Sequence, residues 1–185
     1  VVSVTTRLAR NRPLPGEFSL RDGTPAMIWP LLPTDGEALR EMFRRLSPES
    51  RQSRFLSALP ELDDAMIRRL VGDVDGTHHV ALLLVVLPPD GLEGPVGIAR
   101  LIQYPADPAS ADIAVTVADD WQGRGVGTAL ASELMRRRPP AVTRLVTEVG
   151  ADNRASLALL AGAGRLSSSV PSRGVVDVTV ELPAA

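Results

Sequence analysis

The sequence predicts an α+β domain, and three observations carry that prediction. The elements run strand, helices, antiparallel strands, helix, strand, helix, strands, which is not the alternation of a repeated βαβ ladder. Two apolar runs, residues 80–87 and 96–104, flank Pro88-Pro89-Asp90-Gly91, a turn sequence that makes them a hairpin. A length of 185 residues suits one domain, able to bury roughly 70% of the surface its unfolded chain exposes.

Residues 1–23 read as an arm, with Arg7, Arg10 and Arg12 followed by Pro13 and Pro15, and the domain is expected over 24–185. Residues 26–32 form a short strand broken by Pro33. Thr34 opens a helix with Glu37 three residues on, the spacing of a capping box. Leu39, Met42, Phe43 and Leu46 share its apolar face. Ser47-Pro48 ends it and starts a shorter helix reaching Leu56, since proline suits a first helical turn. Residues 62–71 form a third helix, with Asp63 and Asp64 at the positive end of its dipole. After a turn at 72–76, the run 80–87 is a buried strand by its length and branched residues. Its hairpin partner 96–104 leads to strand 111–117, with Ile113, Val115 and Val117 on one side. Val126, Leu130 and Leu134 recur every four residues in a helix over 125–138, stopped by Pro139-Pro140. A strand over 145–149, a helix over 153–161 and strands near 166–170 and 175–182 follow, the last two joined by 171–174.

Composition excludes whole classes of chemistry. There is no cysteine, hence no disulfide, thiolate metal site or cysteine nucleophile. All 20 basic residues are arginine, which removes the P-loop lysine and Schiff-base catalysis. His78 and His79 are too few for a zinc site unless carboxylates complete it, so no metal is expected. A net charge of −2 from mixed signs points to no nucleic-acid and no membrane partner. The longest apolar run, 80–87, is far short of the roughly 20 residues of a membrane span, and 1–12 lack a signal peptide's apolar run. A cytoplasmic location is therefore expected.

The informative segment is residues 115–128, where a strand runs through Trp121-Gln122-Gly123-Arg124-Gly125-Val126-Gly127-Thr128 into a helix. Three alternate glycines at a helix start leave the free N–H groups of the first turn open to an anion. Each such dipole interaction is worth only about 0.3–1 kcal/mol when exposed, so several amides must act together, with Arg124 as a candidate aid. The plainer alternative is a turn that merely packs beneath the sheet. A dinucleotide fingerprint fails, because its final glycine would fall on Thr128 or Leu130.

Gln122-Gly-Arg-Gly125-Val-Gly127 resembles the Gln/Arg-x-x-Gly-x-Gly/Ala pyrophosphate loop of the GCN5-related N-acetyltransferases, the GNAT superfamily, which bind acetyl-CoA. Asn153-Arg154-Ala155-Ser156-Leu157 resembles that family's second cofactor segment. Residues 21–25, 46–51, 79–82 and 118–123 further resemble the acetyltransferase domain of bacterial Pat-type protein-lysine acetyltransferases. The resemblance implies a GNAT fold: a mixed, mostly antiparallel central sheet, splayed at the cofactor cleft and flanked by helices. It implies acetyl-CoA as co-substrate, with pantetheine along Val115-Thr116-Val117, Gln122 among the cofactor-binding residues, and pyrophosphate cradled by the amides from Gly123 or Arg124 through Gly125, Val126, Gly127 and Thr128. The amide near Val115 would stabilise the oxyanion, and Asn153 and Arg154 would approach the pantetheine arm or the adenosine.

Acyl transfer to a lysine needs the free amine, which at pH 7 costs about 4.6 kcal/mol for a pKa near 10.4. A carboxylate is the usual remedy. Asp112 is the first candidate base, near the start of the cofactor strand where Pat-type enzymes carry glutamate; aspartate is a methylene shorter and favours a water relay. Its alternative role is an exposed residue that solvates the strand edge. Glu148 on the next strand is the second candidate, and it too could be merely solvated. Leu160 stands where many family members have a tyrosine acid, leaving the CoA thiolate without an assigned proton donor. Tyr104 and at least one of His78 and His79 read as structural. Arg136-Arg137-Arg138 either complement a helix C-terminus or reach the 3′-phosphate, and the former is favoured. Trp29 replaces an arginine of the Pat-type phrase.

The leading reading is therefore an acetyl-CoA-dependent N-acetyltransferase. The acceptor is a protein lysine by resemblance, or else a small amine, and a homodimer is a family-level expectation. The alternatives are a small-molecule amine acetyltransferase and a non-catalytic acyl-CoA-binding sensor.

Overall fold

A computed structural model describes residues 18–55, 61–87 and 94–184. The turn expected at 88–91, Leu56 and the arginines of 1–12 lie outside them. The elements are β1 (Phe18–Ser19), β2 (Pro25–Pro30), α1 (Gly36–Arg44), α2 (Pro48–Phe55), α3 (Asp64–Gly72), β3 (His79–Val86), β4 (Pro95–Tyr104), β5 (Asp107–Val117), α4 (Val126–Arg137), β6 (Arg144–Gly150), α5 (Arg154–Ala163), β7 (Arg165–Ser168) and β8 (Val175–Glu181). A single 3-10 turn, Asp119–Trp121, precedes α4.

The strands form one eight-stranded sheet in the order β1-β2-β3-β4-β5-β6-β8-β7. Every neighbouring pair is antiparallel except β5 and β6, which are parallel. This is the mixed, mostly antiparallel sheet flanked by helices that the sequence led us to expect. The sheet takes in part of the segment ahead of Thr24: Phe18 pairs with Ala26, and Leu20 is buried.

β3 explains its own position. All eight of its residues are buried, so both faces must be covered, and only a strand inside the sheet meets that need. Burying Leu82, Leu83 and Leu84 contributes about 1.5–3 kcal/mol each relative to exposure. On one face α4 lays Val126, Leu130 and Leu134 against β3 and β4. The approach is close at Gly97, where a Cβ would stand 2.7 Å from Val126 Cγ1 and 2.8 Å from Leu130 Cδ1. On the helices α1 and α3 the same device recurs, a Cβ on Gly36 standing 2.7 Å from Ile67 Cγ2.

The cap of α1 differs from expectation. The helix begins at Gly36 behind Asp35, and Thr34 with Glu37 forms no capping box. The buried Asp35 carboxylate instead turns back to accept from Leu32 N at 2.7 Å, tightening the turn after β2. Glu37 pairs with Arg44 at 3.0 Å. α3 does match, with Asp63 accepting from Met66 N at 2.7 Å. β5 starts four residues earlier than its apolar run, because Asp107 is held by Ser110 at 2.6 Å and Arg144 at 2.7 Å.

Candidate functional site

The parallel partners β5 and β6 stay together for only two positions, Ser110 with Arg144 and Ala111 with Leu145. Beyond them the strands separate. Arg144 pins the closed end through Asp107 and Ser110. Thr143 N donates to Ala109 O at 2.9 Å and Thr147 Oγ1 to Ile113 O at 3.4 Å. Odd-numbered residues of β5 thus direct their backbone groups toward β6, and strand residues two apart share that direction. Val115 and Val117, paired with β4 on their other side, continue the series into the gap, where no strand among the described residues pairs with β5. The gap opens into a cleft of about 810 Å³.

The glycine loop closes one end of this cleft. Gly123 and Gly125 have φ of +74° and +94°, a left-handed backbone that costs other residues about 1–2 kcal/mol. Gly127 has no such need, and a Cβ there would make ordinary contacts of 3.7 Å with Val117 Cγ2 and 3.8 Å with Val115 Cγ1. Gly123 has nothing within 4 Å of an added Cβ. These glycines are not forced by packing under the sheet; two of them are required by the turn itself. α4 has neither a side-chain cap nor an acidic residue in its first turn. Its first amides, on Val126, Gly127 and Thr128, therefore lack helical acceptors and lie at the cleft.

Gln122, Gly123, Gly125 and the segment Val115-Thr116-Val117 line the same cleft, as does Asn153 from the start of α5. The Asn153 side-chain oxygen is also committed to its helix, accepting from Ser156 N at 3.0 Å. Two expected cofactor residues do not line the cleft, Arg124 and Arg154. Arg124 lies over the Trp121 ring at 4.3 Å and reaches Asp22 at 3.7 Å. Gln122 Nε2 meets Val117 O at 3.3 Å, Asp119 Oδ1 at 3.2 Å and Ser50 Oγ at 3.2 Å. Burial works against ionising Asp119, yet hydrogen bonds from Ser47 and Ser50 hold its carboxyl below the usual range.

The other end of the cleft is acidic. Asp112 and Glu148 both line it, joined by Asp177, which stands directly opposite Glu148 in the ladder. Tyr104 is there too, its hydroxyl donating to Val146 O at 3.1 Å. Burial, then the charges of Asp112 and Glu148, push the Tyr104 phenol above its usual range. Leu160 lines the cleft without a hydroxyl. Sequence reasoning missed Arg21, Ser50, Ser53 and Asp177. The alternation along β8 marks Asp177 as outward-facing, but only the β6–β8 register brings it to Glu148.

The remaining candidates fall elsewhere. His79 is buried; Arg100 donates to its Nε2 at 3.3 Å, leaving Nδ1–H to donate to Asp73 O at 2.9 Å. Burial, then Arg100, lowers its pKa and keeps it neutral. Arg136 and Arg137 both pair with Glu133 at the far end of α4 from the glycine loop. Trp29 is buried in β2. Among the described residues no group of three His, Asp or Glu could hold a metal ion, and no helix is long and apolar enough to cross a membrane.

Comparison with known proteins adds independent findings. The model of the acetyltransferase (GNAT) family matches residues 37–164. An acetyltransferase of Pseudomonas aeruginosa is 36% identical over 117 residues, which are 63% of this chain and 61% of that protein. The chain thus spans about three fifths of that relative's length. Among solved structures, the GNAT domain of S. lividans PAT is similar with a TM-score of 0.74 and 25% identity, covering 90% of this chain and 96% of that one. A GCN5-related N-acetyltransferase from Kribbella flavida has a TM-score of 0.63 at 21% identity, covering 85% and 98% of the two chains. A cAMP-binding acyltransferase from Mycobacterium smegmatis has 0.59 at 24%, covering 90% of this chain and 47% of that one. The last two speak to fold alone.

Proposed function

The chain belongs to the acetyltransferase (GNAT) family, and on that premise we propose that it transfers the acetyl group of acetyl-CoA to a primary amine. One observation carries the reading: a single cleft has an anion cradle at one end and three carboxylates at the other. A phosphorylated acyl donor suits the first end and a cationic amine the second.

The residues fit such a donor. The amides at the start of α4 meet pyrophosphate oxygens, and the bare Gly127 keeps the space beside Val115 and Val117 clear. The unpaired edge of β5 offers backbone groups to the amides of a pantetheine arm. Bound acetyl-CoA supplies a thioester carbonyl for attack. The Val115 amide stabilises the negative charge that develops on that carbonyl oxygen. Asp112 accepts the proton of the ammonium acceptor, through a water because its side chain is short. The amine nitrogen bonds to the carbonyl carbon, the carbon–sulfur bond breaks, and the thiol sulfur takes its proton from solvent, since Leu160 offers none. Glu148 is the second base candidate, and with Asp177 it holds the amine by charge. Arg124 and Arg154 have no direct part in this account.

The acceptor is a protein lysine by the family resemblance, with a small amine as the competing case. Thiol release from acetyl-CoA, measured with lysine-containing peptides and with small polyamines, tests the reading. Amine-dependent release supports it and ranks the acceptors. Acetyl-CoA binding without release from any amine would favour a non-catalytic sensor.

A further inference from the structure

We propose that Arg21, on the turn between β1 and β2, binds the pyrophosphate of the acyl-CoA; this rests on the acyl-CoA reading given above. Among the described residues lining the cleft, Arg21 is the sole cation. The chain has no lysine, Arg124 is turned onto Trp121 and Asp22, and Arg136 and Arg137 are held by Glu133. The α4 amides offer partial charges only, each contributing little when solvated. A guanidinium beside them matches phosphate oxygens with paired donors.

The turn is built to hold Arg21 in place. Leu20 N donates to Thr24 O and Gly23 N to Leu20 O, both at 2.9 Å. Asp22 Oδ1 accepts from Thr24 N at 3.0 Å, and Gly23 takes a φ of +85°. Buried Leu20 anchors the turn to the core. The turn then docks on the glycine loop: a Cβ on Gly125 would stand 3.4 Å from Arg21 Cβ and 3.5 Å from Arg21 N. The Asp22–Arg124 pair at 3.7 Å fastens the same two segments, so Arg124 serves the loop by positioning the turn. Arg21 precedes the 37–164 stretch that matches the family model, so the loop motif gives no hint of it.

Titration calorimetry of wild type, Arg21→Ala and Arg21→Lys with CoA and with 3′-dephospho-CoA tests this. Arg21 is exposed, so both variants should fold, and their melting curves verify it. Arg21→Ala is expected to bind both ligands about tenfold more weakly, with Arg21→Lys recovering part of the loss. Unchanged affinity of Arg21→Ala for CoA overturns the proposal. So does a loss seen with CoA but absent with 3′-dephospho-CoA, which would assign Arg21 to the 3′-phosphate. Wild type that binds neither ligand has a different signature and overturns the acyl-CoA reading itself.

Discussion

Gln122 Nε2 donates to Ser50 Oγ across 3.2 Å, joining the glycine loop to the first turn of α2. Around that bond the same two segments meet again: Asp119 accepts from Ser47 N at 3.1 Å and Asp120 pairs with Arg45 at 2.7 Å. Ser47 in turn caps α2, its Oγ accepting from Ser50 N at 3.1 Å. The helix on one side of the cleft is therefore hung from the glycine loop that closes one end of it.

Breaking this latch should disturb both partners. Gln122→Ala removes one hydrogen-bonding group worth about 1 kcal/mol and leaves Ser50 and Val117 O to water. We expect a melting temperature lower by a few degrees and kcat/KM for the amine reduced several-fold. Steady-state kinetics beside a thermal melt reads both, and wild-type values in both would remove Gln122 from the coupling.

The glycines of the loop should respond unequally. Gly125→Ala forces a side chain into a left-handed backbone and should cost about 1–2 kcal/mol. Gly127→Ala meets only ordinary contacts and improves helix propensity, so it should be neutral or stabilise by up to about 1 kcal/mol. Urea denaturation of the two variants compares them directly. Equal destabilisation would contradict this account of the loop.

Asp112→Asn should lower kcat/KM for the amine by about 10²–10⁴, the usual scale of a lost general base. An unchanged rate would take Asp112 out of the mechanism, and the same experiment on Glu148→Gln then becomes decisive.

His79 makes stability pH-dependent. Its folded pKa lies below the ordinary value because burial and Arg100 disfavour the imidazolium. Below about pH 6.5 the unfolded chain takes up a proton that the folded one refuses. Stability is thus full above that pH and falls as pH drops toward the lower folded value. Melting curves from pH 8 to 5 should show this fall in wild type and a flatter profile in His79→Gln. Superimposable profiles would contradict the assignment.

Elements with one strong period were legible in the sequence, and long-range juxtapositions were not. The uninterrupted apolar run became β3, and the four-residue repeat from Val126 became α4. Gly123 and Gly125 marked the loop that closes the cleft, because a positive φ is a matter of local backbone geometry. Thr34 failed as a cap because the helix starts one residue later, behind Asp35, whose carboxylate bonds back to Leu32 N instead of forward into the helix. Asp177 shows in the sequence only as an outward-facing residue of its strand, and Arg21 only as part of the 21–25 stretch of Pat-type resemblance; nothing local places either at the cleft. One depends on the β6–β8 register, the other on a hairpin turn docking against a loop about a hundred residues later in the chain.

Every role proposed for the cleft between β5 and β6 depends on its binding acetyl-CoA. Thermal unfolding with acetyl-CoA, CoA, NAD and ATP at matched concentrations tests that binding. A ligand at 100 times its dissociation constant adds about 2.7 kcal/mol. A clear rise in melting temperature is expected with acetyl-CoA and CoA, and none with NAD or ATP. No shift with either CoA species would contradict it.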